Sequence, residues 1–262
     1  MSAPSSDESL VAIHQPNYLP WLGYWCKLAV ANTFVLYDTC PFSRGSFTAR
    51  TKFSASRTGY LTVPTRRRPL GTAINSIPVE GQTFALAHRS CISNALYGFA
   101  YRDEVIDAFD AGIDLHTPSS QEDLASVNIR LVHAFAQRLG ISTKLALASE
   151  VAPYRPGLDG ICEILSASQA TTYLSGSGAR SYLPPADELC GGSVRLFYLD
   201  GVDAALAIGA RREEASASGL TYLARVGFAE ASRRLADLKS RVWLEISREA
   251  VDGVKRFPDR TR

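Results

Sequence analysis

The stretch VAIHQPNYLPWLGYW, residues 11–25, decides the fold and carries the candidate functional residues. It begins as an apolar run typical of a buried strand, and Pro16 ends that strand because proline cannot donate a hydrogen bond to a ladder. After the strand we expect a turn that exposes four residues: Tyr18, Trp21, Gly23 and Tyr24. So many large aromatic side chains in one turn indicate a role beyond folding.

The residues that follow predict a βαβ unit. LGYWCKLAVAN, residues 22–32, has apolar residues at helical spacing, and TFVLYDTC, residues 33–40, has the β-branched and aromatic residues of a second strand. Strand, helix and strand within about 30 residues imply a parallel pair joined by a right-handed crossover. Ligands bind at the carboxyl ends of such strands, where both His14 and Asp38 fall.

The rest of the chain alternates predicted strands and helices, so we predict an α/β fold. Its parallel-sheet core opens with the βαβ unit and is followed by a helical insertion and a C-terminal helical tail. Further strands are predicted at GYLTVPT (59–65), INSIPVEG (74–81), STKLALASEV (142–151), TTYLSG (171–176) and VRLFYLD (194–200). Helices are predicted over about 82–111, 121–139, 157–170 and 230–257. Ser119 or Ser120 is a predicted N-cap, and Gly140 a predicted helix stop.

Three regions follow from this pattern. Residues 1–9 are predicted to be a disordered lead-in, and residues 10–200 an α/β domain with its helical insertion at about 82–140. Residues 201–262 are predicted to be a helical extension.

Composition narrows the classes of function. The 262 residues are 46% hydrophobic and 21% charged, with a formal net charge of +2. A net charge so near zero gives no electrostatic reason to expect nucleic acid or a membrane surface as partner. No apolar run approaches the roughly 20 residues of a membrane span, and the first residues lack a secretory signal, so we predict a cytoplasmic protein. The five cysteines are odd in number and lack CxxC spacing, which predicts neither a disulfide framework nor a zinc site.

The first candidate group lies in the opening stretch. Imidazole is the side chain best matched to proton transfer near neutral pH, and Gln15 beside His14 is an amide donor. Tyr18, Trp21 and Tyr24 would supply the apolar walls that a small-molecule site needs. A lone histidine at a strand end is more often a structural hydrogen-bond partner, but its position at the ligand edge favours function here.

The second group follows the second predicted strand, in YDTCPFSRGSFTARTKF, residues 37–53. Arg44, Arg50 and Lys52 form either an anion-binding loop, with Asp38 orienting one cation, or a charged surface turn. Cys40 is a candidate nucleophile because Arg44 would favour its thiolate.

Three weaker groups complete the set. In YLSGSGARSYL, residues 173–183, the backbone amides of Ser175–Gly178 can face an oxyanion or a phosphate, although the P-loop, GxGxxG and GxSxG patterns are missing. His88, followed by Tyr97 and Tyr101, lines a pocket or belongs to the core. Arg66–Arg68 form a solvated loop or a phosphate site.

The chain resembles the WbqC-like family of bacterial proteins over roughly residues 10–200. The motifs that carry the resemblance are HQPNYLPWLGYW (14–25), FVLYDTCPFSRGSFTARTK (34–52), LTVP (61–64), HRSCISNALYGFAYRDEV (88–105), ISTKLALASE (141–150) and YLSGSGARSYL (173–183). Two features depart from the family pattern. TAR replaces an asparagine- or arginine-rich WxNRN-type segment, and a helical tail over 211–262 replaces the usual ending.

The resemblance implies an acyl- or aminoacyltransferase of surface-polysaccharide or specialised-metabolite biosynthesis. Such an enzyme would move the activated acyl group of a thioester onto an amine. We expect His14 to be the general base and Asp38 to fix its position or the acceptor's charge. Gln15 and Ser175, Gly176, Ser177 and Gly178 would stabilise the oxyanion. We expect a further set to bind substrate: Tyr18, Trp21, Tyr24, Arg44, Arg50, Lys52, His88 and Tyr182. We expect no cofactor and no metal.

The predicted partners are a small-molecule amine or amino sugar as acceptor, and an acyl or peptidyl carrier protein as donor. Three alternatives remain open. The opening strand, turn and helix also resemble nucleotidyl-transferring ligases such as pantothenate synthetase. That likeness implies an ATP-dependent adenylating ligase with Arg66–Arg68 on phosphates, although Tyr24 replaces the second histidine of their His-x-Gly-His motif. A non-catalytic module that binds a sugar or carrier protein is the second alternative. A thioester hydrolase using Cys40 is the third.

Overall fold

The computed structural model describes residues 8–53, 59–81, 83–113 and 122–252, and its core is a five-stranded parallel sheet. The strands of this sheet are β1 (Leu10–His14), β2 (Thr33–Leu36), β5 (Lys144–Leu147), β6 (Thr172–Gly176) and β7 (Arg195–Leu199), in the order β5-β2-β1-β6-β7. Two short strands, β3 (Arg50–Lys52) and β4 (Tyr60–Thr62), form a separate antiparallel pair. The predicted α/β fold class is confirmed.

The centre of the sheet is apolar because helices cover both of its faces. The first four residues of β1 are buried, and β1 pairs with β2 in a register that places Ile13 beside Val35 and His14 beside Leu36. Strands buried on both faces read as continuous apolar runs, as this one does. On its other side β1 pairs with β6, so the strand order reverses between β1 and β6. This reversal is where open α/β sheets bind ligands.

The helices around the sheet are α1 (Leu22–Val30), α2 (Phe84–Ala95), α3 (Arg102–Gly112), α4 (Leu124–Arg138), α5 (Ala148–Val151), α6 (Gly157–Ala167), α7 (Gly201–Ala207), α8 (Arg212–Ala215), α9 (Leu220–Val226) and α10 (Phe228–Asp252). All nine residues of α1 are buried, since α1 packs between the sheet and the helices α7 and α10. The Trp243 indole of α10 donates to the Val30 carbonyl at 3.0 Å.

Some local predictions were wrong. INSIPVEG is no strand: Ile74–Ser76 form a 3-10 helix, and only single bridges follow, because Pro78 has no N–H to donate to a ladder. The long helix predicted over 82–111 is broken into α2 and α3, with Gly98 between them at a φ of 86°.

The predicted ends of α4 had different outcomes. Asp123 is the N-cap, and its carboxylate accepts from the Ser126 amide at 2.9 Å. Ser119 and Ser120 lie outside the described residues, as does most of the predicted lead-in (residues 1–7). The predicted stop at Gly140 is confirmed, since this glycine follows α4 with a φ of 62°.

The cysteine prediction was also wrong, because Cys162 and Cys190 form a disulfide across 28 residues of chain. Cys162 lies in α6, and Cys190 lies in a 3-10 helix (Leu189–Gly192) that packs against α6. An odd count excludes a fully paired framework but not one bridge, and only the fold brings this pair together. Cys26, Cys40 and Cys91 are free thiols.

Candidate functional site

A cleft of about 490 Å³ opens at the carboxyl ends of β1, β6 and β7, at the point where the strand order reverses. Its aromatic walls are Trp21, Tyr24, Tyr37, Tyr173 and Tyr182. Its other polar side chains come from His14, Gln15, Lys27 and Cys40, and small residues line one side: Ser175, Gly176, Ser177, Gly178 and Ala179. Apolar walls with a few convergent polar groups are typical of a small-molecule site.

His14 stands at the end of β1 with one defined tautomer. Its Nδ1 lies 3.0 Å from the Gln15 carbonyl oxygen, which can only accept, so Nδ1 carries the proton and Nε2 keeps a lone pair. The ring packs edge-on against Tyr24 at 4.9 Å and stacks on Phe34 at 6.5 Å between centroids. Burial and the nearby Lys27 lower the pKa of His14 to about 3. At neutral pH the site therefore holds a neutral imidazole.

Lys27 is a charged cleft residue that the sequence analysis missed, together with the wall residues Tyr37 and Tyr173. Its side chain lines the cleft, its residue is only 6% exposed, and its Nζ donates to the Ile13 carbonyl at 3.0 Å. Burial lowers the pKa of Lys27 to about 7. The signal was a single lysine between Cys26 and Leu28 in an otherwise apolar helix that is buried on all sides.

Tyr24 presents a hydroxyl group to the same region. The residue is 1% exposed and lines the cleft, yet its hydroxyl has no hydrogen-bond partner within the part of the chain that the structure describes. Burial raises the pKa of this phenol, so it stays protonated and can donate. A buried donor without an acceptor costs about 1–3 kcal/mol. A bound ligand would satisfy it.

Trp21 forms its part of the wall because two glycines make room for it. A methyl group at Gly23 in α1, or at Gly201 in α7, would overlap the indole ring. The half-buried indole therefore lies against the backbone of both helices at the mouth of the cleft. The predicted exposure of the turn was wrong for the other three residues, since Tyr18, Gly23 and Tyr24 are buried.

Asp200, which directly follows β7, holds the turn after β6 in place. Ser177 donates its hydroxyl to Asp200 at 2.8 Å, and Asp200 caps α7 by accepting from the amides of Val202 and Asp203. Burial acts to raise the pKa of Asp200, but these hydrogen bonds and the nearby Arg180 hold it below its usual value. The carboxylate keeps the Ser175–Gly178 segment along the cleft. Tyr182 lies at the rim and is 69% exposed.

Asp38 lies outside the cleft lining. Its carboxylate accepts from the Ser149 amide at 3.0 Å and from the Asn75 side chain at 3.3 Å. These contacts join the end of β2 to α5 and to the 3-10 helix at Ile74–Ser76. The two carboxylate oxygens are thus used by these donors rather than by His14.

Tyr18 and His88 form a pair of their own, away from the cleft lining. The Tyr18 hydroxyl lies 2.7 Å from His88 Nδ1, and the His88 ring packs edge-on against Phe84. Burial lowers the pKa of His88 to about 4. This pair joins the turn after β1 to α2.

The predicted cations also lie away from the cleft lining. Arg44 is in the loop after β2, while Arg50 and Lys52 belong to β3, where the Arg50 guanidinium stacks on Tyr60 at 4.4 Å. Arg66 forms an exposed ion pair with Glu80. An ion pair as exposed as Arg66–Glu80 contributes little to stability.

Cys40 does line the cleft, but as a neutral thiol. Burial raises the pKa of Cys40 to about 12, although a hydrogen bond with the Gln15 side chain opposes this effect. Since the thiolate is the nucleophilic form, this environment does not support a nucleophilic Cys40.

Two absences hold for the residues that the structure describes. No group of three or more His, Cys, Asp or Glu side chains there could hold a metal ion. No helix among them is both long and apolar enough to cross a membrane.

Comparison with known proteins gives two matches. The WbqC-like protein family matches residues 15–200, more than half of the chain. The uncharacterized protein Rv1507c of Mycobacterium tuberculosis (strain ATCC 25618 / H37Rv) is 28% identical over 194 residues, which cover 72% of this chain and 81% of that protein. No solved structure matches the chain. All residues that line the cleft fall within the matched range, except Ile13 and His14, which precede it, and Gly201, which follows it.

Proposed function

The chain belongs to the WbqC-like protein family, and from the site described above we propose that it is an acyl- or aminoacyltransferase. It moves an activated acyl group from a thioester onto an amine. The observation that carries the proposal is His14: a neutral imidazole with Nδ1–H held by a carbonyl and with a lone pair on Nε2. It stands in an aromatic-walled cleft at the ligand-binding edge of the sheet.

The reaction follows from this arrangement. The acceptor amine attacks the thioester carbonyl carbon, a C–N bond forms, and the carbonyl π electrons move onto oxygen. The nitrogen becomes cationic and strongly acidic, so His14 Nε2 can take its proton. The tetrahedral intermediate then collapses, the C–S bond breaks, and the leaving thiolate takes the proton from His14. Because its pKa is about 3, His14 is free of protons before each turnover, and the proton that it accepts passes readily to the leaving thiolate.

The developing oxyanion needs hydrogen-bond donors from the cleft lining. We assign these to the Gln15 side-chain amide and to the backbone amides of the Ser175–Gly178 segment, which lines the cleft. Donors fixed in advance toward a developing charge contribute about 3–4 kcal/mol each to lowering the barrier. The Ser177–Asp200 hydrogen bond keeps that segment in place.

The aromatic walls suit a small acceptor such as an amino sugar or another compact amine. The donor in this proposal is a thioester of coenzyme A or of an acyl or peptidyl carrier protein, and the reaction belongs to surface-polysaccharide or specialised-metabolite biosynthesis. We place it in the cytoplasm, where such thioesters are made.

The test is a turnover assay with purified protein. Acyl-coenzyme A thioesters are combined with amino sugars and amino acids, and the amide product is followed by mass spectrometry. We expect His14→Ala to lower kcat by about 10²–10⁴-fold, the usual contribution of a general base. His133→Ala, which changes an exposed histidine outside the cleft, is the matched control and keeps full activity.

Three results would contradict the proposal. Full activity of His14→Ala with the true substrates would exclude His14 as the base. Product formed only when ATP is supplied would support the adenylating ligase instead. Binding without turnover, unaffected by His14→Gln, would support the binding module.

A further inference from the structure

We propose that the inner part of the cleft binds a carboxylate group of the substrate through the Lys27 ammonium and the Tyr24 hydroxyl. This inference deepens the proposed function, on which it rests for the identity of the substrate. The acyl acceptor is then an amine that also carries a carboxylate, such as an amino acid.

The first argument is the charge of the lining. Among the described residues that line the cleft there is no Asp or Glu, and Lys27 is the one ordinarily cationic side chain among them, apart from the imidazole of His14. The lysine is 6% exposed, and the partner recorded for its Nζ is a neutral carbonyl of Ile13. A buried ammonium without a countercharge is unfavourable, so an anionic ligand that enters the cleft would supply the missing charge.

The second argument is geometric. Tyr24 and Lys27 are three residues apart in α1, so they lie on one face of that helix. Both line the cleft, and the Tyr24 ring packs on His14. The unpartnered Tyr24 hydroxyl is a second donor. Two donors on one face of the helix, one of them charged, match the two oxygens and the single charge of a carboxylate.

A phosphate monoester is the competing anion, with a charge of about −1.5 to −2. Arginine forks are the usual ligands where phosphate oxygens are recognised in pairs. In the part of the chain that the structure describes, no arginine lines the cleft, and one ammonium leaves much of a phosphate charge unpaired. The observations therefore favour the carboxylate.

The pH dependence of carboxylate binding by Lys27 depends on the titratable groups of the elements packed against α1. Among the described side chains they are His14 of β1, Asp203 of α7, Arg212, Glu213 and Glu214 of α8, and Glu230, Arg233, Arg234, Asp237, Lys239, Arg241, Glu245 and Arg248 of α10, with Tyr24 and Cys26 on α1 itself and Tyr37 and Cys40 across the cleft. Glu214 pairs with Arg225, and Glu230 pairs with Arg233 and Arg234. Burial alone accounts for the lowered pKa of Lys27, about 7, so none of these carboxylates supports its charge.

The other titratable groups of the cleft keep one charge state between pH 6 and 9. The pKa of His14 is about 3, and those of Tyr37 and Cys40 are about 12. Burial raises the pKa values of Tyr24, Tyr173 and Tyr182. A change of carboxylate affinity in this range therefore reports Lys27.

The experiment compares benzoate with benzamide, which share a shape and differ in charge, by isothermal titration calorimetry on the intact protein. Benzoate should bind more tightly at pH 6, and its affinity should fall roughly tenfold per pH unit above 7 as Lys27 loses its proton. Benzamide affinity should not change with pH. This arm needs no variant. Lys27→Met should weaken benzoate at least tenfold at pH 6 and leave benzamide unchanged, while Lys144→Met, at an exposed lysine, should change neither.

Three outcomes overturn the inference. In the first, benzoate affinity does not change with pH, or is the same in Lys27→Met as in the natural protein. In the second, benzoate does not bind at millimolar concentration. In the third, inorganic phosphate binds more tightly than benzoate. The assay involves no turnover, so it separates the two proposals. Acyl transfer to amines without Lys27-dependent benzoate binding would overturn this inference alone. Lys27-dependent binding with an active His14→Ala variant would overturn only the proposed role of His14.

Discussion

Replacing Lys27 with methionine should make the folded protein more stable near neutral pH. The unfolded chain holds a lysine proton with a pKa of 10.5, whereas the folded protein holds it with a pKa of about 7 because the side chain is buried. At about 1.4 kcal/mol per pH unit, this difference corresponds to a destabilisation of roughly 5 kcal/mol. Methionine has a similar length and no charge. The substitution also removes the hydrogen bond to the Ile13 carbonyl, which costs about 1–2 kcal/mol. A net gain of about 3 kcal/mol remains.

The sign of the pH dependence is specific to this lysine. Below pH 7 both states hold the proton, and the full destabilisation is present. As pH rises from about 7 to 10.5, the folded state has lost the proton while the unfolded chain still binds it, so the stability of the natural protein rises. The Lys27→Met variant lacks this rise. Its advantage should therefore be greatest at or below pH 7 and should disappear at about pH 9–10, where the remaining charge penalty equals the cost of the lost hydrogen bond.

Urea unfolding followed by tryptophan fluorescence at several pH values measures this difference. Lys144→Met is the matched control, since Lys144 is exposed in β5, and its stability should follow that of the natural protein. Taking differences between variants cancels the titration of other groups. A Lys27→Met protein that is less stable than the natural one at every pH would refute the reasoning. So would an advantage that stays constant from pH 6 to 10.

Two further predictions concern packing and covalent structure. Gly23→Ala should displace the Trp21 indole and lower the stability of the fold by about 1–3 kcal/mol. Tryptophan fluorescence and thermal unfolding measure these two effects. Gly178→Ala is the control and should have little effect, because a methyl group there meets nothing within 4 Å. Reduction of the Cys162–Cys190 disulfide should lower the stability of the fold by about 3–4 kcal/mol, because the bridge restricts the entropy of the unfolded chain. Urea unfolding with and without a reductant measures this difference. No change on reduction would mean that the bridge leaves the unfolded chain unconstrained.

The edge of the sheet that carries the cleft could be predicted because the sequence signals for its strands are local. The apolar run before His14, the helical spacing after Trp21 and the second strand each depend on neighbouring residues, and parallel pairing then brings the strand ends together. His14, Gln15 and the Ser175–Gly178 segment accordingly line one cleft.

The rest of the site depends on contacts between distant segments. Tyr18 looked like a pocket wall until the fold placed it beside His88, 70 residues away. Asp38 follows β2 as expected, but Ser149 and Asn75 occupy its carboxylate. Lys27 was not singled out, and only the packing of α7 and α10 shows that α1 has no solvent face. The periodicity of a nine-residue segment cannot reveal what covers its outer side.

The contact between α1 and α10 has a consequence for how the protein is made. The Trp243 indole that binds the Val30 carbonyl is 213 residues further along the chain. A ribosome that adds about 5–20 residues per second therefore takes roughly 10–40 s to deliver the partner of the helix that carries Tyr24 and Lys27. During that time one side of α1 has no native cover. A helix translated 213 residues before Trp243 is thus among the last elements to be completed, and a chaperone that holds nascent chains would meet residues 22–30 before the cleft exists.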